Sequence, residues 1–143
     1  MSLFRTLTTL TLAGLAAGAS ANPSAPAPSL VYAFSVKASL APPVEQGEID
    51  GKRKRFIAIT GGTAYGPRLQ GEVLPGGGDW QAILPGGLTE VMARYNIRAK
   101  DGTVISVTNG GVRTATPQVI DRLAKGEDVD PSLYYMRTTT VFD

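Results

Sequence analysis

Alternating apolar and polar residues along most of the chain predict β-strands. In residues 30–40 (LVYAFSVKASL), Tyr32, Phe34 and Val36 share one side of an extended chain, and Pro42-Pro43 stops the segment. Residues 45–54 are polar and are expected to form a loop. Further strands are expected at 55–60, 69–74, 79–84, 89–98, 103–109 and 134–142. The chain therefore reads as a series of short strands.

Glycine and proline mark the turns between these strands. Residues 61–87 contain too many of both for a helix. Lys100-Asp101-Gly102 predicts a hairpin, because glycine tolerates the positive φ that such turns require. A phosphate-binding loop at 61–68 would need Lys and then Ser or Thr after its last glycine, where Pro67 and Arg68 stand. We therefore expect a tight glycine turn joining two strands there.

One short helix is predicted near residue 117. Thr116 is a suitable N-cap, Pro117 suits the first helical position, and Gly126 is expected to end the helix. Many short strands and one accessory helix predict an all-β fold, namely a small antiparallel sandwich or barrel.

The N-terminal residues have the order of a secretory signal peptide. Arg5 precedes a mildly apolar run at 6–18, and Ala19-Ser20-Ala21 offers the small residues that a signal peptidase accepts. The alternative, a membrane anchor, would need about 20 apolar residues, and threonines interrupt this shorter run. We expect a signal peptide at 1–21, a Pro/Ala/Ser linker at 22–29, a domain at 30–143, no stable membrane anchor, and a location in the secretory pathway or outside the cell.

The amino-acid composition excludes several kinds of catalytic and metal site. The chain has no histidine and no cysteine, which excludes structural zinc, thiol chemistry and histidine-based triads. No metal site and no cofactor are expected. Removing the signal peptide takes one of 14 basic and none of 12 acidic residues, which leaves a net charge of +1 and no general attraction to nucleic acid. The basic run 52–55 is expected to be solvated surface.

Several charged residues lie inside the expected strands. Arg68 and Glu72 are four apart and are expected on one face of the strand at 69–74. Arg94, Asn96 and Arg98 share a face opposite to that of Ala93, Tyr95 and Ile97. Such residues form a polar pocket if they point inward and an ordinary surface if they point outward. The pattern leaves both alternatives open.

The residue sequences of several motifs resemble those of a known protein family. The signature of the DUF3237 family, also called UPF0311, resembles the segments Thr60-Gly61-Gly62-Thr63, Gly66-Pro67-Arg68-Leu69, 71–77 (GEVLPGG) and Asp79-Trp80-Gln81. Its later blocks resemble, in the same order, Ala93-Arg94-Tyr95, Arg98, Asp101-Gly102, Asn109, Gly111, Arg113 and 134–139 (YYMRTT). The resemblance implies a small calycin-like β-barrel with a central cavity. Similar sequences continue beyond the tyrosine–arginine block with a further pair of strands, so we expect a barrel that is incomplete at Asp143. A homodimer is one expected consequence.

Such a cavity would gather arginines, carboxylates and tyrosines. A carboxylate can move a proton, and arginine can stabilise an enolate. The residues expected to act in catalysis are Glu72, Asp79, Arg68 and Tyr95. Those expected to contact the substrate are Trp80, Arg94, Asn109, Arg113, Tyr134, Tyr135 and Arg137.

The function expected from this set is a cofactor-free isomerase or cyclase, of dehydration or cycloaddition type. It would act on a small organic molecule, for example in natural-product biosynthesis. A secreted barrel that binds a small ligand without catalysis and a truncated, inactive paralogue are the alternatives.

Overall fold

The computed structural model describes residues 27–125 and 127–143. The signal peptide predicted at 1–21, the first part of the predicted linker and Gly126 lie outside these residues. The elements are β1 (Ser35–Leu40), β2 (Val44–Ile49), β3 (Lys52–Tyr65), β4 (Gly71–Val73), β5 (Gly77–Ile83), β6 (Thr89–Ala99), β7 (Val104–Ala115), α1 (Pro117–Ala124), a 3-10 turn (Pro131–Leu133) and β8 (Tyr134–Phe142). None of the described helices is long and apolar enough to cross a membrane.

All eight strands join one antiparallel sheet. β1 and β2 follow one another along one edge of β3, and β4 and β5 follow one another along its other edge. β6, β7 and β8 then continue the sheet in chain order. The expected all-β antiparallel fold with one short helix is confirmed.

The two outer strands of the sheet approach each other at one end. The ring of Phe34, just before β1, lies 5.9 Å from the ring of Phe142 on β8. Among the described residues, no backbone ladder joins β8 to β1 or β2. Side chains, and not strand hydrogen bonds, therefore bring the two edges together.

The polar segment before residue 55 is a hairpin, so the expected loop at 45–54 is wrong. β2 pairs with β3 through the turn Asp50-Gly51, where φ is 54° at Asp50 and 70° at Gly51. Two consecutive positive φ values define the hairpin turn that Asp-Gly favours. β2 is polar because all six of its residues are exposed to solvent.

Gly61 and Gly62 lie inside the long strand β3, so the turn expected at 61–68 begins only at Gly66, after β3 ends at Tyr65. The register between β1 and β3 shifts at this point, from Ser39 opposite Gly61 to Leu40 opposite Ile59. A Cβ added to Gly62 would lie 2.2 Å from the carbonyl oxygen of Lys37. The two glycines thus let β3 bend while β1 stays close to it.

Other boundaries differ less from the expected ones. β1 begins at Ser35, later than predicted, and β4 is only three residues long. Arg68 therefore lies in the loop before β4 and shares no strand face with Glu72. The helix begins as predicted, since the backbone N–H of Val119 donates to Thr116 Oγ1.

The interior of the sheet changes character along its length. We call the half around Ile59, Ala64, Val73, Ile97 and Val107 the apolar end, because these five buried side chains form one cluster. Ile97 and Val107 are 0% and 1% exposed. The other half, which we call the polar end, contains the candidate site.

Candidate functional site

Strand register arranges the inner-face positions in four levels, of which the first is almost wholly apolar and the other three contain three polar residues each. The first level, in the apolar end, is Ile59, Gly77, Tyr95, Val107 and Phe142. The second is Ile57, Asp79, Ala93, Asn109 and Thr140. The third is Arg55, Gln81, Val91, Gly111 and Thr138. The fourth is Arg53, Ile83, Thr89, Arg113 and Met136. Levels two to four form the wall of the polar end.

A chain of hydrogen bonds crosses this wall from Arg55 to Asp79. Arg55 Nε donates to Gln81 Oε1 over 2.7 Å, and Gln81 Nε2 donates to Asp79 Oδ2. The backbone N–H of Met92 donates to Asp79 Oδ1 over 3.1 Å. Arg55 and Gln81 are only 6% and 5% exposed. The amide of Gln81 is therefore oriented by a cation on one side and a carboxylate on the other.

Arg113 adds a second guanidinium to the same interior. Its Nε is buried and has no hydrogen-bond partner among the described residues. Burial lowers the pKa of Arg113 from its ordinary value, and the charge of Asp79 partly offsets this. Burial also lowers the pKa of Arg55, and the positive charge of Arg113 lowers it further. The positive charge of Arg113 thus disfavours the charged form of Arg55.

A cavity of about 500 Å³ lies between these groups and the apolar residues around its mouth. Its lining consists of Leu40, Ala41, Pro42, Pro43, Arg55, Ile57, Asp79, Gln81, Arg113, Leu123, Lys125 and Met136. Helix α1 supplies Leu123, and its C-cap supplies Lys125, so the helix borders the cavity. This volume lies within the range of pockets that enclose small organic ligands.

Some of the residues expected to form the site do lie on the inner face. Asp79 and Arg113 line the cavity. Asn109 is at the level of Asp79 and accepts a hydrogen bond from Thr140 Oγ1 over 2.9 Å. Tyr134 shares the inner face of β8 with Met136, which lies opposite Arg113. Tyr95 also points inward but packs against the apolar cluster, where burial raises its pKa.

Six other expected residues do not join them. Outward-facing positions on the sheet hold Glu72, Trp80, Arg94, Tyr135 and Arg137, and Arg68 is exposed in a loop. Glu72 forms an ion pair of 2.8 Å with Arg98, in which both side chains are more than half exposed. The Arg137 guanidinium lies 5.1 Å from the centre of the Tyr135 ring. The structure therefore separates Glu72 and Arg68 from Asp79, against the expectation of one shared pocket.

Two residues of the site were not expected from the sequence. Arg55 was assigned to a solvated basic run, which is wrong for this residue because it is buried. The alternation Arg55, Ile57, Ile59 was the available signal, since residues two apart share a strand face. Gln81 and Asp79 are also two residues apart, so they too share a strand face. No group of three acidic, histidine or cysteine side chains suited to a metal occurs in the described parts of the chain.

Fold and site together define a small antiparallel β-barrel whose interior has one filled apolar end and one hollow, charged end. Residues 28–143 match the model of a protein family described as "Protein of unknown function (DUF3237)". The chain belongs to this family, as its motifs indicated.

Curated relatives cover most of the domain. A UPF0311 protein of Rhodopseudomonas palustris is 38% identical over 112 residues, which are 78% of this chain and 73% of the relative. One from Clostridium acetobutylicum is 40% identical over 111 residues, 77% of this chain and 70% of the relative.

Solved structures show the same fold. A crystal structure of a conserved protein of unknown function from R. palustris matches with a TM-score of 0.75 and 37% identity, covering 82% of this chain and 78% of that one. A β-barrel-like protein from Acinetobacter baumannii matches with a TM-score of 0.61 and 32% identity, covering 85% and 79%. These names describe a fold and leave the function open.

Proposed function

We propose that the protein binds a small organic molecule in the polar end of its barrel. The observation that carries this proposal is the wall itself: a cavity of about 500 Å³ lined by two arginines, a glutamine and an aspartate. A barrel needs no such residues for stability, since buried polar and charged groups are costly and apolar side chains fill the other end.

The geometry also supports chemistry on the bound molecule, as a cofactor-free isomerase or cyclase. Asp79 is the one carboxylate that lines the cavity among the described residues. In such a reaction, a C–H bond next to a carbonyl breaks, its proton passes to an Asp79 oxygen, and the electron pair moves to the carbonyl oxygen. Arg55 and Arg113 are placed to stabilise that enolate, and return of the proton at another carbon completes an isomerisation.

The second candidate is binding without catalysis, and one observation favours it. Both oxygens of Asp79 already accept hydrogen bonds, from Gln81 and from the backbone of Met92. In this candidate, the Asp79 carboxylate orients Gln81 and balances charge, and it moves no proton.

One experiment separates the two candidates. The full chain is incubated with 2-oxobutanoate in deuterated water, and NMR follows both the Met136 methyl signal and deuterium exchange next to the ketone. Catalysis requires exchange faster than in buffer and a loss of about 100-fold or more in Asp79→Asn, with the Met136 shift retained. The control Glu72→Gln, an exposed carboxylate on the outer face, should change neither signal.

The other outcomes are equally decisive. A Met136 shift without accelerated exchange supports binding alone. No shift of Met136 with 2-oxobutanoate, and none with the probes described below, would refute the proposed site.

A further inference from the structure

Charge is unbalanced in the cavity. Arg55, Arg113 and Lys125 line it on the cationic side, whereas Asp79 is the one acidic lining residue among those described. Lys125 is exposed and solvated, but the two arginines lie deeper in the wall. Outside the lining, Glu45 lies opposite Arg55 in the register of β2 and β3, and Arg53 adds a further positive charge. The cations around the cavity therefore still outnumber the carboxylates, and the two guanidinium groups repel each other.

Hydrogen-bond donors are also left over. Among the described residues, the Arg55 guanidinium forms one side-chain hydrogen bond, from Nε to Gln81. The buried side-chain Nε of Arg113 has no acceptor among the described residues. Guanidinium groups hold carboxylates with paired, parallel hydrogen bonds, so both side chains have the chemistry for a second anionic oxygen pair.

The rest of the wall is apolar. Pro42, Pro43, Ile57, Leu123 and Met136 face the same cavity. A small hydrated anion would leave these side chains without a partner, whereas an apolar body would remove them from water. The cavity is therefore suited to a molecule with one charged end and one apolar end.

We infer that the ligand is a small organic carboxylate, whose carboxylate is held between Arg113 and Arg55 and whose apolar body lies against Ile57, Leu123 and Met136. This inference rests on the proposed function, because it assigns the chemical class of the molecule that the polar end binds. It also accounts for the presence of Arg113, whose buried Nε has no partner in the described part of the fold itself.

The test compares charged probes with neutral ones of the same shape. Hexanoate and benzoate are titrated into the full chain beside hexanamide, benzamide and inorganic phosphate. Each carboxylate should bind about tenfold more tightly than its amide or better, because charge-assisted hydrogen bonds are lost in the amide. Arg113→Met should abolish this preference. The matched control is Arg94→Met, which removes an exposed arginine from the outer face of β6 and should leave the preference unchanged.

A measurement on the unsubstituted protein keeps the test valid if the Arg113→Met variant fails to fold. The Nε–H signal of Arg113 in the intact protein should shift on addition of hexanoate and stay in place with hexanamide. Equal affinity for acids and amides would overturn the carboxylate assignment and leave the proposed cavity binding intact. Tighter binding of phosphate than of either carboxylate would overturn the claim that the ligand has an apolar body. Absence of binding by all five probes and by 2-oxobutanoate, itself a small carboxylate, would overturn both the inference and the proposed cavity binding.

Discussion

Replacing Arg113 by methionine should stabilise the folded protein. Methionine has a similar unbranched stem, so it keeps the packing of the side chain while it removes the charge. The substitution relieves a buried Nε without a partner and the mutual repulsion with Arg55. It also removes an attraction to Asp79, which acts in the opposite direction.

The size of the effect follows from these contributions. Replacing buried ionic groups by apolar ones stabilises proteins by about 1–4 kcal/mol. Arg113 is only partly buried, and the methionine variant loses the attraction between Arg113 and Asp79. Both facts reduce the gain in stability, so the lower part of this range applies. We expect a gain of about 1–2 kcal/mol in the free energy of unfolding, or roughly 4–8 °C in Tm.

Urea unfolding provides the measurement. Trp80 is the chain's one tryptophan and is 46% exposed on the outer face, so its fluorescence reports unfolding without touching the cavity. Arg94→Met, at an exposed position, should change the free energy by less than about 0.5 kcal/mol. A loss of more than about 1 kcal/mol in Arg113→Met would show that Arg113 holds the fold together, and would refute the view that it is kept for a ligand.

Two further predictions concern the frame around the site. Gly62→Ala should destabilise the protein by at least about 2 kcal/mol more than Gly76→Ala in urea unfolding, because a Cβ at 62 meets the Lys37 carbonyl oxygen while nothing lies within 4 Å at 76. Tyr95→Phe should flatten the fall of stability at high pH. Burial raises the pKa of Tyr95 above 10.0, so its contribution is present below pH 10.0 and is lost as pH rises through the folded value.

Each has a result that contradicts it. Both glycines have a positive φ. Equal losses in the free energy of unfolding for the two alanine variants would therefore mean that this backbone conformation alone sets the loss. Curves that superimpose above pH 10 for wild type and Tyr95→Phe, measured by urea unfolding at each pH, would mean that the Tyr95 hydroxyl reaches water.

Local signals predicted much of the fold. Strand β8 was expected at 134–142 and is found at these residues, and Lys100-Asp101-Gly102 does separate β6 from β7. Both rest on short-range patterns, namely alternation and turn chemistry. The hairpin at Asp50-Gly51 was missed although the same turn signal is present, because its strands are too solvated to show an apolar face.

The site was harder to predict, since it depends on which face of each strand turns inward. Period-2 alternation separated Arg94 from Ala93 and Tyr95 correctly but could not say which set faces the interior. Glu72 and Asp79 looked equivalent in sequence, and only the pairing of β4 and β5 with β6 places the first outside and the second inside. Long-range register, which no local pattern encodes, made that difference.

The separation of the apolar end from the polar end has a consequence for how this family can diversify. Residues that hold the sheet together, such as Ile97 and Val107, are not those that line the cavity. Under the proposed function, substitutions at Arg55, Gln81 or Arg113 should alter ligand preference while the cluster that maintains the barrel stays intact. Relatives with 37–40% identity can share one architecture and still recognise different molecules. Ligands should accordingly be assigned member by member, from the residues of the polar end.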